Sequence, residues 1–132
     1  MRVLLYRPNN WYTRLIAWRT RSEYCHVSVR VGDTIFESDL WYGVISRPSN
    51  REDDATISIQ VDVGCAGHDW LYAQRGTCYG YIDILCLALG LPFKTKAMTC
   101  GEFVAKLLKP KYKLPLRADY YTPAEIAKAL LP

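Results

Sequence analysis

The sequence lacks any long hydrophobic run. No stretch approaches the roughly 18 consecutive apolar residues that a membrane-spanning helix requires, although half of the 132 residues are hydrophobic. The apolar run near the start, residues 3–6, is also too short for a secretory signal peptide. We therefore expect a protein without a membrane span that is cytoplasmic or virion-associated, for instance packed in a phage particle.

The chain also lacks an even number of cysteines. The chain has five cysteines, so a disulfide framework cannot pair all of them within one chain. Free thiols are the default in a reducing compartment. Repeats, low-complexity segments and linkers are absent too, and 132 residues suit one core, so we expect a single domain over residues 1–132.

The excess of positive charge is small. A net charge of +4 favours an anionic partner without selecting one. The denser basic stretch, residues 94–113, is interpreted as the solvated face of a helix rather than as a binding patch. No specific nucleic-acid partner is therefore expected.

The spacing of apolar residues predicts an α+β fold with an antiparallel sheet packed against helices. Alternation over residues 25–31 and 34–38 predicts a β-hairpin around a Gly-Asp turn. Further strands are expected at 3–6, 44–45 and 57–63, and helices at 11–19, 69–74, 79–89 and after two capping boxes at Thr99 and Thr122. We expect the helix at 11–19 to be amphipathic, the helix at 79–89 to be buried, and residues 47–54 to form a loop.

The capping box at residues 99–102 places a cysteine at a helix start. The Thr99 hydroxyl and the Glu102 carboxylate satisfy the first free amides, which makes Cys100 the first helical residue. Unpaired amides and the helix dipole stabilise a thiolate there, and the same amides can donate to an oxyanion. Gly101 is expected to leave the sulfur accessible. The alternative is that Cys100 is a small buried residue, as most cysteines are.

A cysteine nucleophile needs a base, and the chain has only two histidines. His26 alternates with the valines of its strand and so lies on the opposite face. If residues 32–33 form a two-residue turn, Ser28 pairs with Glu37, and His26 pairs with Asp39. Either carboxylate could orient the imidazole as the third member of a triad. The alternative is a solvent-exposed histidine with acidic neighbours.

His68, the other histidine, forms a Cys-x-x-His pair with Cys65. Structural zinc takes four ligands, and the sequence has no second pair at zinc-ligand spacing. We therefore expect neither a metal nor a cofactor. A position at a helix start, before Asp69, explains His68.

Several motifs together resemble the circularly permuted NlpC-like papain-fold families of cysteine hydrolases. The segment LIAWRTRSEYCHVSV, residues 15–29, is similar to their histidine motif, and TCGEFVA, residues 99–105, to their nucleophile motif. The next strand of these families is similar to FES at 36–38 followed by GV at 43–44. Their helix before the nucleophile is similar to YGYIDIL at 79–85, and their final helix start is similar to TPAEI at 122–126. The histidine precedes the cysteine, as circular permutation requires.

This resemblance implies a Cys-His-Glu triad and a set of substrate-contacting residues. The triad is Cys100, His26 and Glu37, and the substrate-contacting candidates are Gly101, Tyr24 and Tyr79. Two positions depart from the family pattern. Gly101 replaces the usual serine, and Gly80 stands where an aspartate is common; either change could alter substrate preference or mark an inactive copy.

The expected function is a cysteine peptidase or amidase that cleaves an amide or peptide bond through an acyl-thioester. The favoured substrate is an acyl-amide or peptide, with the stem peptide of peptidoglycan, a cell-wall peptide, as the best candidate. One alternative is an acyltransferase, thioesterase or lipid-ester hydrolase of the same fold. Another is a binding module that has kept the fold but lost catalysis, such as a phage accessory protein.

Overall fold

The computed structural model describes residues 1–49, 55–89, 91, 95–114 and 121–131, and within them the chain forms five strands and five helices. In chain order they are β1 (Arg2–Tyr6), α1 (Trp11–Thr20), β2 (His26–Val31), β3 (Thr34–Asp39), β4 (Gly43–Pro48), β5 (Ile57–Gln60), α2 (Gly64–Ala73), α3 (Tyr81–Leu89), α4 (Cys100–Leu108) and α5 (Pro123–Leu130). The predicted α+β class is confirmed.

The strands form one antiparallel sheet in the order β4-β3-β2-β1-β5. The β2–β3 hairpin turns at Gly32, whose φ of +57° lies in the left-handed region that glycine adopts without strain. Val31 pairs with Thr34, and Val29 pairs with Phe36, which confirms the predicted hairpin register. Because side chains alternate along a strand, this register places His26 and Glu37 on the same face of the sheet.

The other face of the sheet carries the main core. Val27, Val29 and Phe36 are fully buried there, in one cluster with Phe103 of α4 and Ile126 of α5. Helix α4 lies against β2 and β3 and is buried along nearly its whole length. Its first residue is therefore held in a fixed position against the strands that carry His26 and Glu37.

The burial predicted for helix α3 is wrong, and the apolar stripe of α1 does not face the core. Helix α1 exposes most of its apolar side chains, and Ala17 is its one buried residue. Helix α3, expected to be buried, exposes Ile82, Leu85 and Leu89. The core cluster contains residues of α4, α5 and part of α2, whereas the described side chains of α1 and α3 are not part of it.

Some predicted boundaries also differ. Arg47, predicted to begin a loop, belongs to β4, whereas residues 50–54 lie outside the described residues. β5 ends at Gln60, before Val61 and Val63, and α2 begins at Gly64 rather than at residue 69. In the described part of the chain, no helix is long and apolar enough to cross a membrane.

Candidate functional site

The capping box at the start of α4 forms as the sequence predicts. The Thr99 hydroxyl accepts a hydrogen bond from the Glu102 amide at 3.3 Å, and the Glu102 carboxylate accepts one from the Thr99 amide at 3.0 Å. Cys100 is consequently the first residue of the helix, and it is buried. A thiol in this position lies at the positive end of the helix dipole.

The segment before Cys100 is tied to the sheet next to Glu37. The hydroxyl of Ser38, the residue after Glu37 in β3, donates to the Met98 carbonyl at 2.6 Å, and Ser38 is fully buried. Met98 also forms a parallel bridge with Tyr79. One strand, β3, thus carries Glu37 and also fixes the backbone two residues before Cys100.

His26 begins β2 and contacts Glu37 of β3. Its Nε2 is 2.9 Å from Oε2 of Glu37. The ring also packs against Tyr6, its partner in β1, with 5.5 Å between ring centroids. Its electrostatics also involve Cys100, because the thiol and the imidazole each shift the pKa of the other.

The electrostatics of the pair favour a thiolate and an imidazolium. Burial lowers the pKa of His26, but the hydrogen bonds with Cys100 and Glu37, together with their charges, outweigh it and raise the pKa to about 10. Burial raises the pKa of Cys100, but the interactions with His26 outweigh it, and the amides of Val27 and Gly101 add to them, so the net pKa is lowered. Each group thus stabilises the charged form of the other.

A residue that the sequence analysis missed completes this polar cluster. Nη2 of Arg47 donates to Oε2 of Glu37 at 3.1 Å, and Nε lies 2.9 Å from Oε1 without pointing at it. The polar composition of residues 47–54 predicts a loop there, which includes Arg47. Had the strand after Val44 been extended to residue 47, alternation would have placed Arg47 on the same face as Glu37.

Asp39, the other carboxylate considered as a partner of His26, is engaged elsewhere. Its Oδ1 accepts hydrogen bonds from the amides of Trp41 and Tyr42, at 2.8 and 3.1 Å, in the turn between β3 and β4. The structure therefore brings Glu37, and not Asp39, into contact with the imidazole.

The three substrate-contacting candidates differ in position. Tyr79 is half-buried near Cys100, and burial together with the charge of Cys100 raises the pKa of its phenol. Tyr24 is buried in the core, so it offers little surface to a substrate. Gly101 is buried as well.

Gly101 is explained by packing rather than by access to the sulfur. A Cβ at this position would overlap the carbonyl oxygen of Tyr121, in the segment that leads into α5. The absence of a side chain lets this backbone pass directly over the first turn of α4. This close approach is a physical reason for glycine at position 101.

His68 and Cys65 do not join the cluster of Cys100, His26 and Glu37. His68 lies inside α2 rather than at its start, and Cys65 is exposed on the same helix. Among the described residues, no three His, Cys, Asp or Glu side chains are arranged to hold a metal ion. Cys25 is buried, and burial and the neighbouring Cys100 raise the pKa of its thiol.

Searches of protein-family models, of curated proteins and of solved structures find no match to this chain.

Proposed function

We propose that this protein is a cysteine hydrolase of the permuted NlpC-like papain fold, in which Cys100, His26 and Glu37 form the catalytic triad. The observation that carries the proposal is the position of His26, which contacts the buried carboxylate of Glu37 and interacts with the thiol at the start of α4. A nucleophile, a base that can accept its proton and a group that orients the base are the parts that such catalysis needs.

In the proposed reaction, the Cys100 thiolate attacks the carbonyl carbon of an amide or peptide bond. The negative charge moves to the carbonyl oxygen, where the backbone amide of Cys100 at the start of α4 can donate to it. Tyr79 can add a donor, because its raised pKa keeps the phenol protonated. The His26 imidazolium then protonates the leaving amine, and an acyl-thioester remains on Cys100.

Hydrolysis of the thioester completes the cycle. His26, now neutral, accepts a proton from water as that water attacks the thioester carbonyl, and the thiolate leaves as the acid product forms. Glu37 keeps the imidazole in the tautomer and orientation that both steps use. As the substrate we propose an acyl-amide or peptide, with a peptidoglycan stem peptide first; this choice rests on the family resemblance.

A second candidate is cleavage or transfer of an acyl group from a lipid ester or thioester. The exposed apolar residues of α3 favour it, since Ile82, Leu85 and Leu89 follow Tyr81, whose ring packs against Tyr79 at 5.2 Å. An acyl chain that reached Cys100 past Tyr79 could rest on this apolar surface. The same triad would serve both candidates.

Labelling with a chloroacetamide probe tests the triad. Cys65 and Cys78 are exposed, so they report the reactivity of ordinary thiols in the same molecule. We expect Cys100 to react faster than both despite its burial, and to lose this advantage in His26→Ala. His68→Ala is the matched control and should leave the rate unchanged. Equal, slow labelling of all cysteines in the wild type and in His26→Ala would instead indicate a binding module without catalysis.

Substrate assays then separate the two candidate reactions. Release of new amines from peptidoglycan stem peptides, lost in Cys100→Ala, supports the amidase. Release of fatty acid from an acyl ester, with no amine from stem peptides, supports the lipid-directed alternative. Absence of both activities from a chain whose Cys100 still reacts rapidly would reject these two substrate classes but not the thiolate.

A further inference from the structure

The N-terminal helix α1 presents its apolar side chains to solvent. Trp11 is 79% exposed, Leu15 55% and Trp18 75%, whereas Ala17 is the one buried residue of the helix. Because they are spaced at i, i+4 and i+7, the three exposed side chains form a stripe along one helix face. A contiguous apolar patch on a domain surface marks a site of contact with a partner or a membrane.

Arginines flank this stripe. By helix geometry Arg14 lies on one side of it and Arg19 on the other, Arg21 follows the last turn, and all three are exposed. The first 22 residues contain five arginines and no acidic residue, whereas the remaining 110 contain twelve basic and thirteen acidic residues. The segment that contains α1 is therefore strongly basic, as is the stretch of residues 94–113.

The C-terminal end of α1 borders a surface cavity of about 600 Å³. Its lining comprises Ala17, Trp18, Arg19, Arg21 and Ser22. Guanidinium groups bind phosphate oxygens in a planar, two-pronged geometry, and an indole suits the boundary between lipid chains and headgroups. The chemistry of this cavity matches a phosphate-bearing lipid headgroup.

We propose that α1 docks on an anionic phospholipid surface, with Trp11, Leu15 and Trp18 inserted among the lipid chains and the flanking arginines on headgroup phosphates. Interfacial helices have this composition, with Trp and Leu on one face and basic residues along its borders. A second copy of the chain fits the stripe less well. Two-fold pairing through α1 would bring the same arginines of both copies together, and like charges repel. The proposal is independent of whether Cys100 is catalytic.

Sedimentation of the full chain with vesicles tests the proposal. We expect binding to phosphatidylcholine vesicles that contain one third phosphatidylserine, little binding to phosphatidylcholine alone, and weaker binding as salt screens the arginines. A blue shift of tryptophan fluorescence should accompany binding. Two double variants should each weaken binding by about tenfold or more. One is Trp11→Ala/Trp18→Ala, and the other is Arg14→Gln/Arg21→Gln.

Trp41→Ala is the matched control, because Trp41 is 78% exposed but lies in the turn between β3 and β4. It should bind the vesicles like the wild type, and all variants should keep the wild-type urea midpoint. The proposal is overturned by a lack of binding to the anionic vesicles, by unchanged binding in both double variants, or by an equal loss in Trp41→Ala. A dimer that Trp11→Ala/Trp18→Ala dissociates, without vesicle binding, would assign the stripe to a second copy.

Discussion

Arg47 contacts Glu37 at the same oxygen that contacts His26. Nη2 of Arg47 donates to Oε2 at 3.1 Å, and His26 Nε2 lies 2.9 Å from that atom. The Glu37 side chain is only 3% exposed, and the guanidinium, together with the His26 imidazolium, supplies the counter-charge that a buried carboxylate requires. In the proposed mechanism, Arg47 is therefore a positioning residue, which holds the group that orients the base.

Replacement of Arg47 should destabilise the fold. Arg47→Met keeps much of the side-chain volume but removes one of the two cationic groups that contact the buried Glu37, which we expect to lower the free energy of unfolding by about 1–3 kcal/mol. Urea unfolding measures this change. Lys111→Met is the matched control, since Lys111 and Asp62 form an ion pair of 2.7 Å in solvent, and its loss should have no measurable effect. Equal losses in both variants would contradict the structural role of Arg47.

Glu37→Gln and Asp39→Asn should differ sharply. Glu37→Gln removes the charge that supports the imidazolium, so the alkylation rate of Cys100 at neutral pH should fall by about tenfold or more. Asp39→Asn keeps an oxygen that can accept from the amides of Trp41 and Tyr42, so it should react like the wild type. Thiol alkylation followed by peptide mapping measures both rates. A larger loss in Asp39→Asn would reverse the assignment of the two carboxylates.

Features that a few neighbouring residues determine were predicted well from the sequence. The capping boxes at Thr99 and Thr122 and the pairing of Val31 with Thr34 all form as predicted. The choice between Glu37 and Asp39 stayed open, because the register puts both carboxylates on the face of His26. The turn after Asp39 decides it. The sequence did contain a signal that Asp39 binds the turn, since an aspartate before a turn often accepts hydrogen bonds from the amides two and three residues ahead.

Features that depend on distant partners were not predicted. The requirement for glycine at position 101 comes from Tyr121, twenty residues later, and no local pattern reports that contact. Arg47 was missed because its strand extends further than its apolar residues indicate. The exposure of α1 and α3 was missed because an apolar sequence does not specify which helix fills the core.

Introduction of a side chain at Gly101 should be costly. In Gly101→Ala the new Cβ overlaps the backbone of Tyr121, so α5 must move, and we expect a loss of about 2 kcal/mol or more in the free energy of unfolding. Gly76→Ala is the control, because no atom lies within 4 Å of its Cβ position and only the strain at its φ of +85° opposes it. That strain costs about 1 kcal/mol. Urea unfolding should show the larger loss for Gly101→Ala, and a stable Gly101→Ala variant would show that α5 yields easily.

The pH dependence of Cys100 reactivity should reveal its pairing with His26. Because the pKa of Cys100 is lowered from its ordinary value of 9.0, the alkylation rate should reach its plateau below pH 9. The pKa of His26 is raised from 6.5 to about 10, so the imidazolium persists through neutral pH and is lost only as the pH rises through about 10. The ion pair is therefore complete between the lowered pKa of the thiol and the raised pKa of the imidazole.

His26→Ala should move this profile upward. Without the imidazolium, the burial of Cys100 acts against the thiolate, so the midpoint of alkylation should rise toward or above 9. Stopped-flow alkylation from pH 5 to about 10, with Cys100 identified by peptide mapping, measures both profiles. His68→Ala should retain the wild-type midpoint, since His68 lies in α2. If the wild type itself titrates at 9 or above, the imidazole does not activate the thiol, and the proposed hydrolase loses its nucleophile.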